Sequence, residues 1–483
     1  MNNKTRRDFL KRCVGVLAGS SIFANRKLEA KLRSRPNIIL CMADDQGWDE
    51  TGYYGHRHLK TPELDKLAGK GLRFDRFYSA APVCSPTRAS CMTGRNPNRM
   101  GTFGFNYSIR PEEITIAELL KNKGYATGHF GKWHLGPVKK SSPTNPGANG
   151  FDTWFSHDNF FDLNPPLVRD GGEVKYYQGE SSKIVVDATI DFIGKNKASD
   201  KPFFAVVWFG SPHSPHKGTK QDLALYKDVK DKDLRHRFAE ITAMDRAIGD
   251  LQKYLRKEGL DQNTLFWYCS DNGIHPRVAA KTNSELRGSK GKLYEGGIRV
   301  PGIITWPAVI KKPSITNVPC VTSDIMPTLC ELLGIALPER PIDGVSLVGL
   351  LDGSMTKRDK SICFWQYNKS TEKRNEPWLD PKSQVGTTPT ARKQAIQFLN
   401  FKHPVPKTKN FGGNAAIMDN RYKLVVKSQK NKREKLELFD ITADPNETTD
   451  LAAARPTIVS DMRAELTTWQ ISVEKSLSGN DYD

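Results

Sequence analysis

The sequence predicts an α/β fold with a large, mixed but mostly parallel sheet sandwiched by helices, followed by a smaller C-terminal α+β domain. The 483 residues are enough for at least two domains. Short apolar runs alternate with helical patterns over most of the chain, and this alternation is typical of doubly wound sheets. After about residue 355 the pattern changes to polar, proline-rich sequence with an antiparallel signature. We therefore divide the chain into a main domain at residues 36–354 and a smaller domain at residues 355–483.

The strands of the main domain are predicted from short apolar runs. These runs are NIILCMA (37–43), GYATGHFG (124–131), PFFAVVWFG (202–210), TLFWYCS (264–270) and VPGIITW (300–306). Two helices between them have recognisable ends: TPELDKLAGKG starts with a predicted Thr61 cap and Pro62, and TIAELLKNKG starts with Thr115. Both patterns end at glycine, which is typical of a helix terminus.

The smaller domain has one clear hairpin signal. The runs RYKLVVK (421–427) and KLELFDI (435–441) flank the charged turn SQKNKRE. A final amphipathic stretch from about residue 456 to 475 predicts a helix. These elements predict the antiparallel sheet of the C-terminal domain.

The first 35 residues resemble an export leader. NKTRRDFLKR contains the paired Arg6 and Arg7, CVGVLAGSSIFA is a short apolar run, and Ala24 and Ala30 are candidate cleavage positions. This pattern predicts twin-arginine export to the periplasm or the exterior, with an uncleaved N-terminal anchor as the alternative. No later segment reaches about 18 uninterrupted apolar residues, so no membrane span is predicted.

The charge of the chain favours acidic partners. Residues 1–35 hold ten Lys or Arg against two Asp or Glu, and without them the formal net charge falls from +19 to +11. A surface of this sign suits polyanionic glycans, although a solvated basic face is the simpler alternative. Nucleic acid is not predicted as a partner, because the sequence has no zinc knuckle, basic heptad region or ribonucleoprotein-type strand.

Most of the cysteines are predicted to be core residues. The cysteines after the leader, Cys84 aside, are irregularly spaced, with no CxxC pair and no disulfide framework. Cys41, Cys269, Cys320 and Cys330 lie in apolar stretches and are predicted to pack as small hydrophobic side chains.

Four predicted strands end in polar residues. These are Asp44 and Asp45, Lys132 and His134, His213, and Asp271 with Asn272. In a parallel sheet the carboxyl ends share one edge, where open α/β folds bind ligands. The oxygen donors suit Ca²⁺ or Mg²⁺. Asp pairs and Asp-Asn-Gly also form ordinary turns, but their occurrence at two strand ends favours a metal site. Lys132 and His134, two apart in a segment read as extended, are predicted to point to one side.

The stretch CSPTRASCMTGR (84–95) predicts a helix that begins near Cys84, since proline suits the first turn. Helix amide groups would favour an anion there. Arg88, four residues on, lies on the same face and can bind a tetrahedral oxyanion. The alternative is a reduced helix-start cysteine beside a surface arginine, which the spacing to the following TGR disfavours.

Residues 84–95 match the sulfatase signature Cys-x-Pro-x-Arg followed by Thr-Gly-Arg, and GKWHLG (131–136) resembles the second signature of that family. The resemblance extends through the blocks PNIILCMADDQGW, TPELDKLAGKGLRFDRFY, SDNG, YEGGIRVP and ELFDITADPNE. The chain thus resembles the type I, formylglycine-dependent sulfatases, and the resemblance implies an alkaline-phosphatase-like fold.

The resemblance also implies the chemistry. Cys84 would be converted by a dedicated maturation enzyme to formylglycine, an aldehyde that hydrates to a diol. One hydroxyl attacks sulfur and the second, on the same carbon, then expels sulfate. One Ca²⁺ would be held by a set of oxygen ligands comprising Asp44, Asp45, Asp271, Asn272 and the modified Cys84.

The remaining roles follow from the same resemblance. Arg88, Lys132 and Lys290 would hold the sulfate and the diol. His134 would act as the base that triggers sulfate release, and His213 as the acid at the leaving oxygen with help from Lys290. Lys292 is a rival to Lys290, but the offset to YEGG favours Lys290.

Four further residues are candidate substrate contacts, namely Ser156, His157, His216 and His275. Each has a structural alternative: Ser156 can cap a local turn, and the histidines can be surface residues. His213 is preferred to His216 as the acid because the match to the family pattern follows its strand directly.

The sequence therefore predicts a sulfuric ester hydrolase that releases sulfate from a sulfated small molecule or oligosaccharide, with a sulfated carbohydrate preferred over a small aryl sulfate. One alternative is a phosphodiester or phosphonate monoester hydrolase of the same superfamily. The pattern typical of those enzymes has Asp-His where this chain has Asn272. Another is an inactive protein that binds sulfated glycans. Specificity is predicted to lie in the loops near residues 100–110, 155–180, 212–235, 275–290 and 365–415.

Overall fold

The computed structural model of the protein describes residues 35–199, 201–282, 284–367, 376–389, 394–402, 412–429 and 433–482. The predicted leader lies outside these residues apart from Arg35, so export and cleavage stay predictions. The division between residues 354 and 355 also stays a prediction. Within the described ranges, no helix combines the length and apolar character needed to cross a bilayer.

The strands in chain order are β1 Asn37–Ala43, β2 Leu72–Phe74, β3 Phe77–Tyr78, β4 Ala126–Lys132, β5 Thr153–His157, β6 Pro166–Arg169, β7 Val174–Tyr176, β8 Phe203–Trp208, β9 Thr264–Ser270, β10 Arg299–Val300, β11 Gly302–Thr305, β12 Ser314–Thr316, β13 Cys320–Val321, β14 Ile362–Trp365, β15 Ala415–Met418, β16 Tyr422–Lys427 and β17 Lys435–Asp440.

The α-helices are α1 Pro62–Ala68, α2 Cys84–Thr93, α3 Ile116–Asn122, α4 Ser181–Lys197, α5 Lys220–Leu223, α6 Lys232–Lys257, α7 Pro276–Thr282, α8 Glu295–Ile298, α9 Ile325–Leu332, α10 Val348–Asp352 and α11 Pro456–Leu477.

The large sheet has ten strands in the order β12-β2-β11-β9-β1-β8-β4-β5-β6-β7. Its centre is parallel: β1 pairs with β9 and β8, and β4 pairs with β8 and β5. The run VPGIITW forms β11 as predicted, and it is one of the antiparallel strands of this mixed sheet, since β11 is antiparallel to β9. The chain stays at the carboxyl edge after β9, where Lys290 contacts Asp45, so it enters β11 from that edge and must run the opposite way.

Helices cover both faces of this sheet. On β1, Ile38, Leu40 and Met42 pack with α2, α3 and α9 in one core cluster. The alternate residues Ile39 and Cys41 pack with α1, α4 and α6 in a second cluster on the other face. The predicted helix-covered, mostly parallel sheet is thus confirmed.

The C-terminal part has a four-stranded antiparallel sheet in the order β14-β15-β16-β17. The predicted hairpin is confirmed by the pairing of Tyr422 with Asp440 and Lys427 with Lys435. The helix α11 packs on this sheet through Met462, Leu466 and other apolar residues, which confirms the predicted amphipathic helix.

The two predicted helix caps have different outcomes. The capping box of Thr115 and Glu118 is present at α3. The predicted Thr61 cap of α1 is wrong, because the Thr61 hydroxyl instead accepts the Gly52 N–H at 2.7 Å. A carboxylate from α6 takes its place: Asp245 accepts the N–H groups of residues 63 and 64 at 3.0 and 2.7 Å.

The cysteine predictions are confirmed. Cys41, Cys269, Cys320 and Cys330 are buried and free. No disulfide forms among the described cysteines, all of which are free.

Candidate active site

Cys84 is the first residue of α2, and all ten residues of this helix are buried. Its Sγ lies 3.6 Å from Asp44 Oδ1 and 4.0 Å from Asp45 Oδ1. Burial, reinforced by the charge of Asp271, raises the pKa of the thiol well above its ordinary value. Because the thiolate is the nucleophilic form of cysteine, the unmodified side chain is a poor nucleophile in this setting.

The carboxyl groups around Cys84 come from two neighbouring strands. Asp44 and Asp45 follow β1, and Asp271 follows β9, which is parallel to β1. The Asp45 N–H donates to Asp271 Oδ1 at 3.1 Å, which holds the two strand ends together. One ligand atom from each of Asp44, Asp45, Cys84 and His213 falls within a mutual spacing of 4.8 Å. The parallel pairing therefore collects the acidic side chains at one point.

Each carboxylate of the cluster has its own cation. Lys132 Nζ donates to Asp44 Oδ2 at 2.7 Å, Lys290 Nζ donates to Asp45 Oδ1 at 2.6 Å, and Arg88 Nη2 donates to Asp271 Oδ2 at 2.7 Å. The Arg88 guanidinium also lies over the Trp208 ring, 5.1 Å from its centroid. The site thus contains three positive groups and three negative groups, which we call the charged cluster.

Burial and charge set the ionisation of these acids. Burial alone would raise the pKa of Asp45, but the charges of Lys290 and His213 hold it well below its ordinary value. For Asp271, burial and the neighbouring Asp44 outweigh Arg88 and raise the pKa to about 6. Packing of several buried carboxylates is costly unless cations balance them.

The donors of the cluster fit a hard divalent cation. Asn272 Nδ2 donates to Asp45 Oδ1 at 2.7 Å, whereas its buried Oδ1 has no hydrogen-bond partner among the described residues. An unsatisfied buried acceptor costs about 1–3 kcal/mol, and a cation beside Oδ1 would remove this cost. The oxygens of Asp44, Asp45 and Asp271 complete a donor set of the kind that Ca²⁺ prefers.

His213 lies in the loop after β8, where it is still partly accessible. Its Nδ1 donates to the Ser214 carbonyl at 2.7 Å, so the Nε2 atom faces the cluster, 3.7 Å from Asp45 Oδ2. The ring stacks on Phe160 with centroids 4.4 Å apart. Burial lowers the pKa of His213 to about 3, with Asp45 opposing the shift.

The comparisons with known proteins agree with this geometry. The family model named Sulfatase matches residues 36–335. The chain belongs to the sulfatase family. N-acetylgalactosamine-6-sulfatase of Canis lupus familiaris is 32% identical over 369 residues, which cover 68% of this chain and 68% of that protein. Ulvan-active sulfatase of Formosa agariphila is 33% identical over 347 residues, covering 68% of this chain and 67% of that protein.

Solved sulfatase structures have the same fold. The crystal structure of Ps i-CgsB matches with a TM-score of 0.76 and 25% identity, covering 92% of this chain and 94% of that one. The same protein has also been crystallised with k-i-k-neocarrahexaose. Since its named relatives are sulfatases, the chain is an enzyme of this class.

His134 of the sulfatase is placed differently from the prediction. Its φ of +55° is left-handed, so the backbone is not extended at His134 as predicted. That Lys132 and His134 point to one side stays a prediction. Lys132 reaches Asp44, whereas His134 Nε2 donates to Asn106 Oδ1 at 2.8 Å and its buried Nδ1 has no partner. Burial, together with the charge of Lys132, lowers the pKa of His134 well below its ordinary value.

Asn106 connects His134 to the nucleophile helix. Its backbone N–H donates to the Ser85 hydroxyl at 3.1 Å, while its side chain accepts from His134. Sequence reasoning missed Asn106, which lies in a loop. An asparagine at a positive φ of 65° was a weak signal, because Asn is one of the residues that tolerate this conformation.

Two of the predicted substrate contacts have internal partners in the structure, and their role in substrate binding stays a prediction. Ser156 is fully buried in β5, and its hydroxyl lies 2.7 Å from Nδ1 of His129 on β4. His157 is 1% exposed, its Nδ1 accepts the Asn159 N–H at 2.9 Å, and the Pro389 carbonyl is a further partner.

The two remaining candidates differ in their internal contacts. His216 Nδ1 binds Asp233 at 2.8 Å and its Nε2 lies 3.2 Å from Arg237 Nη1, and its role in substrate binding stays a prediction. His275 is half-buried, and its Nδ1 accepts a hydrogen bond from the Arg277 N–H at 3.3 Å. The role of His275 in substrate binding stays a prediction.

Arg237 of α6 is a positioning residue that sequence reasoning missed. It is fully buried and donates to the Asp45 carbonyl and the Pro212 carbonyl, each at 2.7 Å, and to Glu50 Oε1 at 2.6 Å. It therefore ties the loop after β1 to the loop that carries His213. A charged residue within the apolar stripe of a helix was the available signal.

Lys290 and Lys292 can be separated by experiment. Replacing Lys290 with methionine should lower kcat about 10²–10³-fold, because it removes a buried cation from the charged cluster. The Lys292→Met variant should stay within about twofold of wild type, because Lys292 is exposed. Steady-state sulfate release measures both, with thermal unfolding to show that both variants fold. Equal losses would assign no special role to Lys290.

Proposed function

We propose that this sulfatase releases inorganic sulfate from a sulfated carbohydrate, with Cys84 matured to formylglycine and one Ca²⁺ bound beside it. The observation that carries the proposal is the position of Cys84 within the charged cluster, against Asp44 and Asp45. A thiol held protonated by burial has no evident use there. A cysteine that is the precursor of another nucleophile does have a use at this position.

The two absent groups would supply the central chemistry. Hydrated formylglycine supplies two hydroxyls on one carbon, one to attack sulfur and one to release sulfate afterwards. Ca²⁺ would be held by Asp44, Asp45, Asp271 and Asn272, and when bound it polarises an S–O bond and favours an ionised hydroxyl.

The cations of the chain would bind the sulfate group. Arg88 and Lys132 are fully buried, and the Lys290 side chain is 16% exposed. Charges in such a water-poor site act more strongly than in water. They would stabilise the negative charge that develops on the transferred group and its leaving oxygen.

The two histidines would move protons at different atoms. Because Asn106 Oδ1 accepts from His134 Nε2, the neutral ring carries its lone pair on the unpartnered Nδ1. That atom is positioned to accept a proton. His213 has its Nδ1–H fixed on the Ser214 carbonyl, so Nε2 of the neutral ring carries no proton. The protonated ring would give its Nε2 proton to the leaving oxygen, next to Lys290.

The substrate class is supported by the named relatives and by charge. The relatives include enzymes named for N-acetylgalactosamine 6-sulfate and ulvan, and Ps i-CgsB binds a carrahexaose. The net charge of +11 beyond residue 35 suits a polyanion. We also propose that the protein acts in the periplasm or outside the cell after twin-arginine export, and that residues 36–354 form its catalytic domain.

Sulfate release from a substrate panel tests this proposal. Protein coexpressed with a formylglycine-generating enzyme should show the aldehyde at Cys84 by intact mass. It should release sulfate from at least one defined sulfated sugar, at least about 100-fold more efficiently than it cleaves a phenyl phosphonate ester. Faster phosphonate cleavage would favour the phosphonate hydrolase. Glycan binding without any release, with Cys84 unmodified in the native host, would favour the binding protein.

A further inference from the structure

A groove with a mostly apolar lining and a few polar side chains lies next to Ser214, the residue after His213, outside the charged cluster. Its cavity volume is about 780 Å³. Residues 214–216 line one side and residues between 275 and 281 line the other. We call it the His275 groove.

The topology places this groove next to the reacting atoms. Its walls are the loops that follow β8 and β9, and these strands lie on either side of β1 in the sheet. Asp45, at the end of β1, therefore lies between the bases of the two walls. Ser214 of the groove accepts the Nδ1–H of His213. The mouth of the groove is therefore next to the place where a sugar alcohol leaving beside His213 would lie.

Several polar groups of the groove are already satisfied. His216 binds Asp233 and Arg237 through its two ring nitrogens. Lys281 Nζ lies 3.0 Å from Asp231 and 3.3 Å from Asp233. These residues shape and hold the wall, and Arg237 links it to the Asp45 carbonyl.

Two donors remain for a ligand. His275 Nδ1 accepts the Arg277 N–H, so a neutral His275 carries its proton on Nε2, which is a donor. The exposed Arg277 guanidinium has no ion pair within the part of the chain that the structure describes. Burial is the largest influence on the pKa of His275 and lowers it. The charges of Asp45 and Lys290 act on this pKa as well, which indicates that the ring lies close to the charged cluster.

We propose that the His275 groove binds a sugar unit adjoining the sulfated sugar, which is itself the leaving alcohol, and that Arg277 recognises an anionic group on that unit. His275 donates a hydrogen bond to an oxygen of the same ligand. The anionic group is a carboxylate or a second sulfate, since both offer the paired oxygens that guanidinium binds. This inference rests on the proposed function.

The test compares Arg277→Gln with wild type on four probes. These are a sulfated disaccharide with a uronic acid neighbour, one with a sulfated neighbour, one with a neutral neighbour, and 4-nitrophenyl sulfate. Arg277→Gln should raise KM about 10-fold on the anionic disaccharides and leave the neutral disaccharide and the aryl sulfate unchanged. A response to one anionic disaccharide alone identifies carboxylate or sulfate as the group recognised.

A second variant and a matched control complete the test. His275→Ala should raise KM for all three disaccharides and leave the aryl sulfate unchanged. Arg256→Gln removes an exposed cation from the far end of α6 and should change nothing. Unchanged kinetics of Arg277→Gln on all probes would overturn the proposal. So would a rise in KM for the aryl sulfate as large as the rise for the anionic disaccharides.

Binding separates this inference from the proposed function. In a Cys84→Ala background, calorimetry measures binding of the same disaccharides without turnover. If wild type releases no sulfate but Arg277→Gln still weakens binding of the anionic disaccharides, the groove stands and the proposed function fails. If wild type releases sulfate and Arg277→Gln binds normally, only the groove fails.

Discussion

Replacing Cys84 with serine should stop turnover after a single transfer. A serine hydroxyl at the start of α2 would lie against Asp44 and Asp45 as Cys84 does and can attack sulfur once. It lacks a second hydroxyl on the same carbon, so release of sulfate would need attack by water. We expect steady-state kcat to fall at least about 10³-fold, with a burst of leaving group no larger than the enzyme concentration.

Mass spectrometry shows whether the serine variant is trapped. The intact protein should gain the mass of one SO₃ group, and peptide mapping should place it at residue 84. Cys91→Ala is the matched control, since Cys91 lies on the same helix but packs in the apolar core; it should keep normal turnover and gain no mass. Steady turnover by Cys84→Ser, or a sulfated peptide elsewhere, would exclude Cys84 as the nucleophile position.

The meeting of the acidic residues was predictable from the sequence for a simple reason. Parallel strands bring their carboxyl ends to one edge, so a polar residue directly after a strand has a defined place. Asp44 and Asp45 both lie beside Cys84 Sγ, and the Asp45 N–H donates to Asp271 Oδ1. The prediction needed only the strand ends, and those are visible as apolar runs.

The orientation of His134 was not predictable from alternation, because the backbone leaves the extended region after β4. Gly131 has a φ of +102° and Gly136 a φ of +150°. A Cβ at Gly131 would lie 1.9 Å from the Trp208 carbonyl oxygen, so this glycine is required by close packing of β4 on β8. Glycines on both sides of KWH were the signal that the segment is not a regular strand.

The contacts that fix the rim of the site join residues far apart in the chain. Arg237 binds Asp45 across 192 residues, and Asp158 accepts hydrogen bonds from the backbone and hydroxyl of Thr388 across 230 residues. Neither pair has a local pattern. Only the folded chain shows that Thr388 and Pro389 contact the end of β5 and the residue after it, through Pro389 at His157 and Thr388 at Asp158.

Replacing Asp45 with asparagine should remove the response of the enzyme to calcium. Asp45 Oδ1 accepts from both Lys290 and Asn272, so its carboxylate lies at the centre of the donor set. For wild type, Ca²⁺ at about 100 times its Kd should add about 2.7 kcal/mol to the free energy of unfolding. The variant should show little of this gain, and its kcat/KM should fall at least about 10²-fold.

The pKa of Asp45 also gives the direction in which Asp45→Asn changes the stability of the calcium-free protein. Although burial opposes it, Lys290 holds the pKa of Asp45 below its ordinary value, so the ionised carboxylate stabilises the fold above the pKa of the unfolded chain and this contribution is lost as pH falls. In a chelator at pH 7, Asp45→Asn should therefore unfold at a lower temperature than wild type. Near pH 3 the two proteins should differ less.

Asp49→Asn is the matched control for this prediction. Asp49 follows Asp45 by four residues, but burial and Glu50 raise its pKa to about 6 and its side chain bonds to Ser284. Removing its charge should leave the calcium response intact, because the carboxylate is not part of the charged cluster. Thermal unfolding of wild type, Asp45→Asn and Asp49→Asn with and without Ca²⁺ shows whether calcium binding depends on Asp45. If calcium stabilises Asp45→Asn as much as wild type, the ion binds elsewhere, and the cations around Cys84 would have to act on the sulfate without it.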